Sequence, residues 1–304
     1  MMDRLQAMEV FVRVAEAGSF AAAADQLDLA RSVVTRLVAA LEARLGVKLI
    51  ARSTRSLRLT SAGQAYLERC REILDLVGVA EGELGGNERA PRGPIRLSVP
   101  VSFGIHHLAP LVADFVTTWP DVSLDIDFND RQVNLVEAGV DMAIRITTQL
   151  DPSVVARRLT VSRMLTLAAP EYLARHGRPA RPDDLLDHPC LGYTGTARAS
   201  WPYRVAGTLQ WVPVRGRLQS NNGDALLDAA RRGLGICLQP SFIAAAAVQA
   251  GLLEVLLADF PGPELGIYAV FPSHRYVPSR VRLLADYLAA RIGPVPYWEQ
   301  GLPA

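Results

Sequence analysis

Cysteine is scarce in this sequence. Three of 304 residues carry a thiol, Cys70, Cys190 and Cys237. They stand far apart and fit no metal-ligand or redox spacing, which excludes a disulfide framework and points to a reducing cytoplasm. They are expected to be small buried apolar residues. Long apolar runs are also missing. The longest, Phe242 to Val248, falls well short of the roughly 20 residues that cross a bilayer, so no membrane partner is expected. Asp3, Arg4, Glu9 and Arg13 interrupt the first turns, and no secretory leader is expected there. The histidine pair His106-His107 makes a poor metal site, because adjacent helical residues point about 100° apart; both are expected on the surface. Gly233-Leu234-Gly235 does not complete a dinucleotide fingerprint, since Leu238 stands at its last glycine. No nucleophile elbow or metalloprotease helix is present. Enzymatic chemistry is therefore not expected, and no cofactor or metal is implied.

What is present suits two or three globular domains, with 50% hydrophobic and 21% charged residues. The net charge of +1 conceals an uneven distribution. Between Ala30 and Thr60 stand Arg31, Arg36, Arg44, Lys48, Arg52, Arg55 and Arg58 against a single acid, Glu42. A basic window inside a near-neutral chain is the footprint of a phosphate-contacting surface.

The pattern around that window is specific. Leu5, Met8, Val10, Phe11, Val12, Val14 and Ala15 form a helical stripe that ends at Gly18. Ser19 is suited to cap a second helix, Phe20 to Leu27, through its hydroxyl. Asp28-Leu29 makes a short break. A third helix runs from about Ala30 to Leu45, with Val33, Val34, Leu37, Leu41 and Leu45 inward and Arg31, Ser32, Thr35 and Arg36 outward near its start. Two short helices, a tight turn and polar residues at the start of the second are what reading a major groove requires. From Arg52 to Thr60 arginines alternate with apolar or small residues, as in a hairpin whose outer face carries guanidinium groups to phosphates. Arg52, Thr54 and Arg55 are its candidate contacts.

Gly18-Ser19-Phe20 with the following alanines, Val34-Thr35-Arg36, Leu41-Glu42, Leu45-Gly46-Val47, Leu49, Arg52, Thr54-Arg55, Leu59-Thr60 and Ala62-Gly63 together resemble the LysR-type transcriptional regulators. Ala30 departs from the family pattern, which often has a capping Ser there. The resemblance implies an N-terminal all-α winged helix-turn-helix with a long linker helix, followed by an α/β two-lobed, periplasmic-binding-protein-like sensor domain. Its implied partners are double-stranded promoter DNA bearing an inverted repeat, a small-molecule effector, further copies of the chain as dimer or dimer of dimers, and RNA polymerase.

Ser61 to about Leu84 reads as one helix, with Leu67, Cys70, Leu74, Val77 and Leu84 at coiled-coil spacing. The resemblance implies that this seam meets the same helix of a second subunit; packing onto its own domain is the alternative. Residues 85–94, rich in Gly, Pro and charge, form the clearest linker. The expected divisions are 1–60 for the winged helix-turn-helix, 61–84 for the dimerising helix, 85–94 for the hinge, 95–163 with 268–293 for the first lobe, and 164–267 for the second.

Beyond the hinge, strands and helices alternate in βαβ order, which implies a parallel sheet. Expected elements include strands at 95–99, 123–128, 141–146, 235–239 and 265–271. Helices are expected at 104–119, 134–138, 224–232, 242–250 and 278–292. Ligands of such sheets sit beyond the carboxyl ends of the strands, here between the lobes. Ser102 and Phe103 lie in a strand-to-helix loop where a hydroxyl and amides suit a carboxylate-bearing effector. Asp130, Arg131 and Arg145 follow from the first lobe, and Tyr193, Thr194, Asn221, Asn222 and Gln239 from the second. A solute-binding protein without regulatory DNA reading would share the lobes but not the first sixty residues.

Overall fold

The computed structural model describes residues 3–52, 57–85, 91–131, 134–152, 154–195, 200–272 and 277–303; the side chains of 52, 75 and 79–85 lie outside that description. It divides into two compact units, Met1–Ala90 and Pro91–Ala304.

In the first unit, Asp3 accepts from the Leu5 and Gln6 amides to start α1 (Arg4–Ala17), and Gly18 ends it with left-handed backbone, φ 62°. Ser19 accepts from the Ala21 and Ala22 amides at the start of α2 (Phe20–Gln26). Asp28 takes the turn at φ 52°, and α3 (Arg31–Leu45) follows Ala30 with no side-chain cap. A short hairpin then pairs β1 (Ile50–Arg52) with β2 (Leu57–Leu59), Ile50 opposite Leu59 and Arg52 opposite Leu57. Last comes α4 (Ser61–Gly85). A Cβ on Gly63 would lie 2.0 Å from the Leu49 carbonyl oxygen. Only a residue without one lets α4 settle on the backbone that leads into β1.

The core of this unit joins Phe11, Val14, Ala23, Val34, Val38 and Leu41 to Leu49, Leu67 and Cys70. Two expectations are corrected here. Leu45, expected inward, is 40% exposed, and Val38 fills the core instead. Leu67 and Cys70, expected in an intersubunit seam, are buried in their own unit, with Leu74 packed on the same core. The broad apolar stripe of α4 has its inner edge covered by α1 and the hairpin. Its outer edge, Ile73 and Leu76, stays exposed.

The second unit begins with β3 (Gly93–Val99), so the expected hinge is shortened at both ends: Gly85 completes α4 and Gly93 opens a strand. A continuous helical run follows, made of α5 (Val101–Phe103), a π turn at Gly104–Leu108 and α6 (Ala109–Thr118). It starts three residues before the expected helix. Next are β4 (Val122–Phe128) and β5 (Met142–Thr147). Between them, 134–140 forms turns rather than the expected helix. Too few residues separate Asn134 from Gly139, whose φ is 63°, to sustain one.

β6 (Val155–Ser162) comes next, an edge strand of the first lobe's sheet, before the chain crosses at Arg163 into β7 (Met164–Ala168) and α7 (Pro170–His176). The second lobe continues through β8 (Cys190–Tyr193), the hairpin of β9 (Ser200–Val205) and β10 (Thr208–Pro213), and β11 (Gln219–Ser220). It ends with α8 (Gly223–Arg231), β12 (Ile236–Pro240), α9 (Ser241–Gln249) and β13 (Glu254–Leu256). The chain then returns by β14 (Leu265–Phe271) and α10 (Ser279–Ile292).

One sheet has the order β4-β3-β5-β14-β6 and the other β11-β8-β12-β7-β13. β3, β4 and β5 are parallel, as the βαβ order requires. The returning β14 is antiparallel to both β5 and β6, so the sheet is mixed. Because β14 belongs whole to the first sheet, the second lobe gives way at Leu265 rather than at 268. Each sheet has its own apolar core. The C-terminal tail braces the crossing point: Glu299 accepts from Arg163 Nε at 2.8 Å and from the Ser241 hydroxyl.

Candidate nucleic-acid interface and interlobe site

The third helix is fixed by its inner face, Val34, Val38 and Leu41, which are almost wholly buried. That leaves Arg31, Ser32 and Arg36 exposed at its first turns, with Thr35 half-buried beside them. The hairpin is tied to the same helix by a residue the sequence reading passed over. Glu42 is 7% exposed and accepts from the Leu49 amide at 3.0 Å, the Ile50 amide at 3.1 Å and Lys48 Nζ at 2.6 Å. Burial alone would raise its carboxyl, but the Lys48 ammonium and the two amides outweigh that and hold it below the ordinary glutamate range. A lone acid among seven bases was the available signal. Thr60 adds a second tie, donating to the Lys48 carbonyl at 2.7 Å and accepting from the Gly63 amide at 2.9 Å. Of the hairpin candidates, Arg52 contributes its backbone to β1, while Thr54 and Arg55 lie outside the described residues. Arg58 on β2 is exposed.

In the second unit, the helical turns after β3 meet the first turn of α8 across the lobes. The Ser102 hydroxyl donates to Asp224 Oδ2 at 2.6 Å, and His106 Nε2 lies 2.8 Å from Oδ1 of the same carboxylate. Ser102 and His106 are four residues apart on one helical run, hence on one face. The π turn between Gly104 and Leu108 falls at this point, a distortion common at functional sites. Asp130 accepts from the Val101 amide at 3.0 Å. The Tyr193 hydroxyl is raised first by loss of solvent and second by the Asp130 carboxylate. Ser102, Asp130 and Tyr193 are thus brought to one region, together with Asp224 and His106, which the sequence reading left out of the site.

Other candidates have different work. Phe103 is fully buried, edge-on to Phe242 and Trp298 at 5.5 and 6.1 Å; one step beyond Ser102, helical phase turns it into the core. His107, expected on the surface, is buried for the same reason. Its Nε2 donates to the Phe242 carbonyl at 2.8 Å, so Nδ1 accepts from the Tyr297 hydroxyl at 2.6 Å. Asn222 is the side-chain cap of α8, accepting from the Ala225 amide. Thr194 and Asn221 are exposed, the Thr194 amide donating to the Ser220 carbonyl. Arg131 is exposed and its amide closes a turn onto Asn129.

Two candidates keep buried donors unpaired among the described residues. Gln239 is 2% exposed with Nε2 lacking a partner. Arg145 donates to its neighbour Ile144 at 3.3 Å, leaving one guanidinium nitrogen unpaired, and burial lowers its pKa. The three cysteines are buried and free. Burial pushes Cys70 to about 11 and Cys190 to about 12, and raises Cys237 as well, so none is a thiolate near neutral pH. Among the described residues no helix is long and apolar enough to cross a membrane.

Comparison with known proteins matches both units in turn. Residues 5–64 match the bacterial regulatory helix-turn-helix protein of the lysR family, and residues 88–293 match the LysR substrate binding domain. An HTH-type transcriptional regulator of Xanthomonas campestris is 35% identical, over 93% of this chain and 84% of its own length. The regulator CrgA of Neisseria meningitidis is 33% identical over 96% of this chain and 98% of its own. The solved structure of CrgA superposes with a TM-score of 0.62 at 34% identity, covering 95% of this chain and 98% of the other. The full-length Vibrio cholerae virulence activator AphB gives 0.58 at 25% identity, with 95% and 99% covered. A DNA-reading unit and an effector-binding unit, matched in this order over nearly the whole chain, place the protein in the LysR-type transcriptional regulators, as a DNA-binding regulator and not an enzyme.

Proposed function

We propose that this regulator reads an inverted promoter repeat with α3 in the major groove and the hairpin on the flanking backbone. An effector held between the lobes at Ser102, Asp130 and Tyr193 would control that reading in the cytoplasm. The observation that carries the reading is the exposed Arg31-Ser32 and Arg36 at the start of a helix whose other face is locked in the core. Glu42 adds to it by fastening the hairpin to the same helix. Arg36 is one turn in from the helix start and is the leading candidate for a base contact, while Arg31, Ser32 and the uncapped first turn suit phosphates.

Family members bind DNA and small-molecule effectors and form oligomers. For this chain we assign the dimer contact to the outer edge of α4, where Ile73 and Leu76 are 37% and 48% exposed one turn apart. A dimer of dimers and contact with RNA polymerase follow from the same reading. Footprinting on the gene's own upstream region, with and without metabolites, tests it. A thermal-shift screen supplies the metabolites, since a ligand at about 100 times its dissociation constant adds roughly 2.7 kcal/mol of stability. A footprint that no binding metabolite alters would refute effector control, and no footprint at all would refute the DNA reading.

A further inference from the structure

The donors that suit an effector's carboxylate at the head of the first lobe's helical run are already engaged by the protein's own carboxylates. Asp130 takes the Val101 amide. Asp224, from the opposite lobe, takes the Ser102 hydroxyl with one oxygen and the His106 ring with the other. An acid in the first turn of a helix is ordinarily explained by that helix's dipole. Here Asn222 already caps α8 through the Ala225 amide, and both oxygens of Asp224 face the other lobe instead. Just before Asp224, a Cβ on Gly223 would meet Ile243 Cδ1 at 2.5 Å and Gln239 Oε1 at 2.6 Å, so glycine lets α8 begin close against those two side chains. Ser102 is 8% exposed, whereas the Asp224 and His106 side chains are 37% and 46% exposed. The seat is therefore built on one side and open to water on the other.

We propose that Asp224 is a tethered stand-in for the effector's carboxylate: in the effector-free protein it fills the seat formed by Ser102 and His106, and an effector carboxylate binds by displacing it. This rests on the reading that the effector enters between the lobes at Ser102. Displacement, rather than binding alongside, follows from charge. Asp130 sits on the amide next to Ser102, and a third carboxylate beside two others is repelled. Because the tethered group is always present, the effector's apparent affinity is reduced by the fraction of time the seat is free. Displacement also releases a tie between the lobes, which gives the two states different affinities for the effector, as a switch requires.

Sodium acetate is the probe, titrated against sodium chloride at equal ionic strength into the full chain, with binding read by calorimetry and by melting temperature. Asp224→Ala is expected to bind acetate at least about tenfold more tightly than the unaltered chain, as a seat free less than a tenth of the time predicts. Asp224→Asn, which keeps the shape without the charge, is expected to show a smaller gain, and it carries the test should the alanine variant fold poorly. Adding Ser102→Ala to either is expected to abolish the gain. Equal acetate affinity in all chains, or a gain that survives Ser102→Ala, overturns the proposal. A gain that requires Ser102 in a protein whose footprint no effector alters would uphold the seat and refute effector control instead.

Discussion

Two carboxylates show how differently the two units use the same group. Glu42 in the first unit is 7% exposed and satisfied by two backbone amides and a lysine, all within eight residues of it in sequence. Asp224 in the second is partly exposed and held by two side chains more than a hundred residues away. Removing the first leaves buried amides with no alternative partner, which is the expensive case. Removing the second leaves groups that water can reach. A part that must hold a helix and a hairpin in one geometry is locked, and a part that exchanges partners is left at the solvent boundary.

The largest contrast is expected between the two faces of α4. Leu76→Asp places an unpaired charge on the exposed edge assigned to the dimer. It should weaken self-association by about 3 kcal/mol or more while leaving the melting of the first unit nearly unchanged. Leu67→Asp, on the buried face, should unfold that unit. Analytical ultracentrifugation with calorimetry separates the two, and an unchanged sedimentation profile for Leu76→Asp would move the interface elsewhere.

Next in size is the carboxylate contrast itself. Glu42→Ala should cost the first unit about 2–4 kcal/mol, from two buried amides left unpaired. Asp224→Ala should cost the second unit no more than about 0.5 kcal/mol, as for surface changes. Urea unfolding followed separately in the two units checks both, and similar losses would erase the contrast between the two carboxylates.

Within the DNA-reading unit, Arg36→Ala should lose about 1–3 kcal/mol on the cognate site and less on scrambled DNA. Arg52→Ala and Arg55→Ala should weaken both alike and reduce the salt slope by roughly one for each lost phosphate contact. Equal losses for Arg36 on the two DNAs would demote it to a backbone contact.

The smallest expected effect is a difference in acid sensitivity. Burial lowers His107 below its ordinary value of about 6.5. The unfolded chain therefore takes up this proton first, and the second unit should begin to lose stability as pH falls below that value. Glu42 is held below its ordinary value of about 4.5, so its contribution is complete above that pH and lost only as acid carries the carboxyl through its folded value. Melting temperatures of the two transitions across the acid range should diverge in that order. His107→Gln should remove the earlier loss, and a second unit insensitive down to about pH 5 would contradict the assignment.

Local chemistry was legible where its partners are near in sequence. The Ser19 cap, the left-handed turn at Gly18 and the hairpin between Ile50 and Leu59 needed no distant information. Glu42 was missed although its partners are close, because a single acid in a basic window reads as solvated charge until the strand that it caps is placed. Periodicity marked Leu67 and Cys70 as apolar but not which surface covers them, and their own unit does. Phe103 and His107 were misplaced for a related reason. The helix starts at Val101, three residues before the expected 104, which takes Phe103 out of the loop and into the helix, and the π turn at Gly104–Leu108 lies between it and His107, which faces the same core.

By itself the sequence determined the order of the parts: a basic helix-turn-helix with a hairpin, one long helix, a hinge, and two α/β lobes. Hydrophobic period and turn residues act locally, so they survive without any tertiary information. Only the tertiary structure decided which carboxylate faces which donor. The contact between Ser102 and Asp224 spans 122 residues and joins two sheets, and nothing in the immediate neighbours of either residue specifies it. It exists because β3 and β11 both end at the boundary between the lobes, where the helical turns that follow them meet.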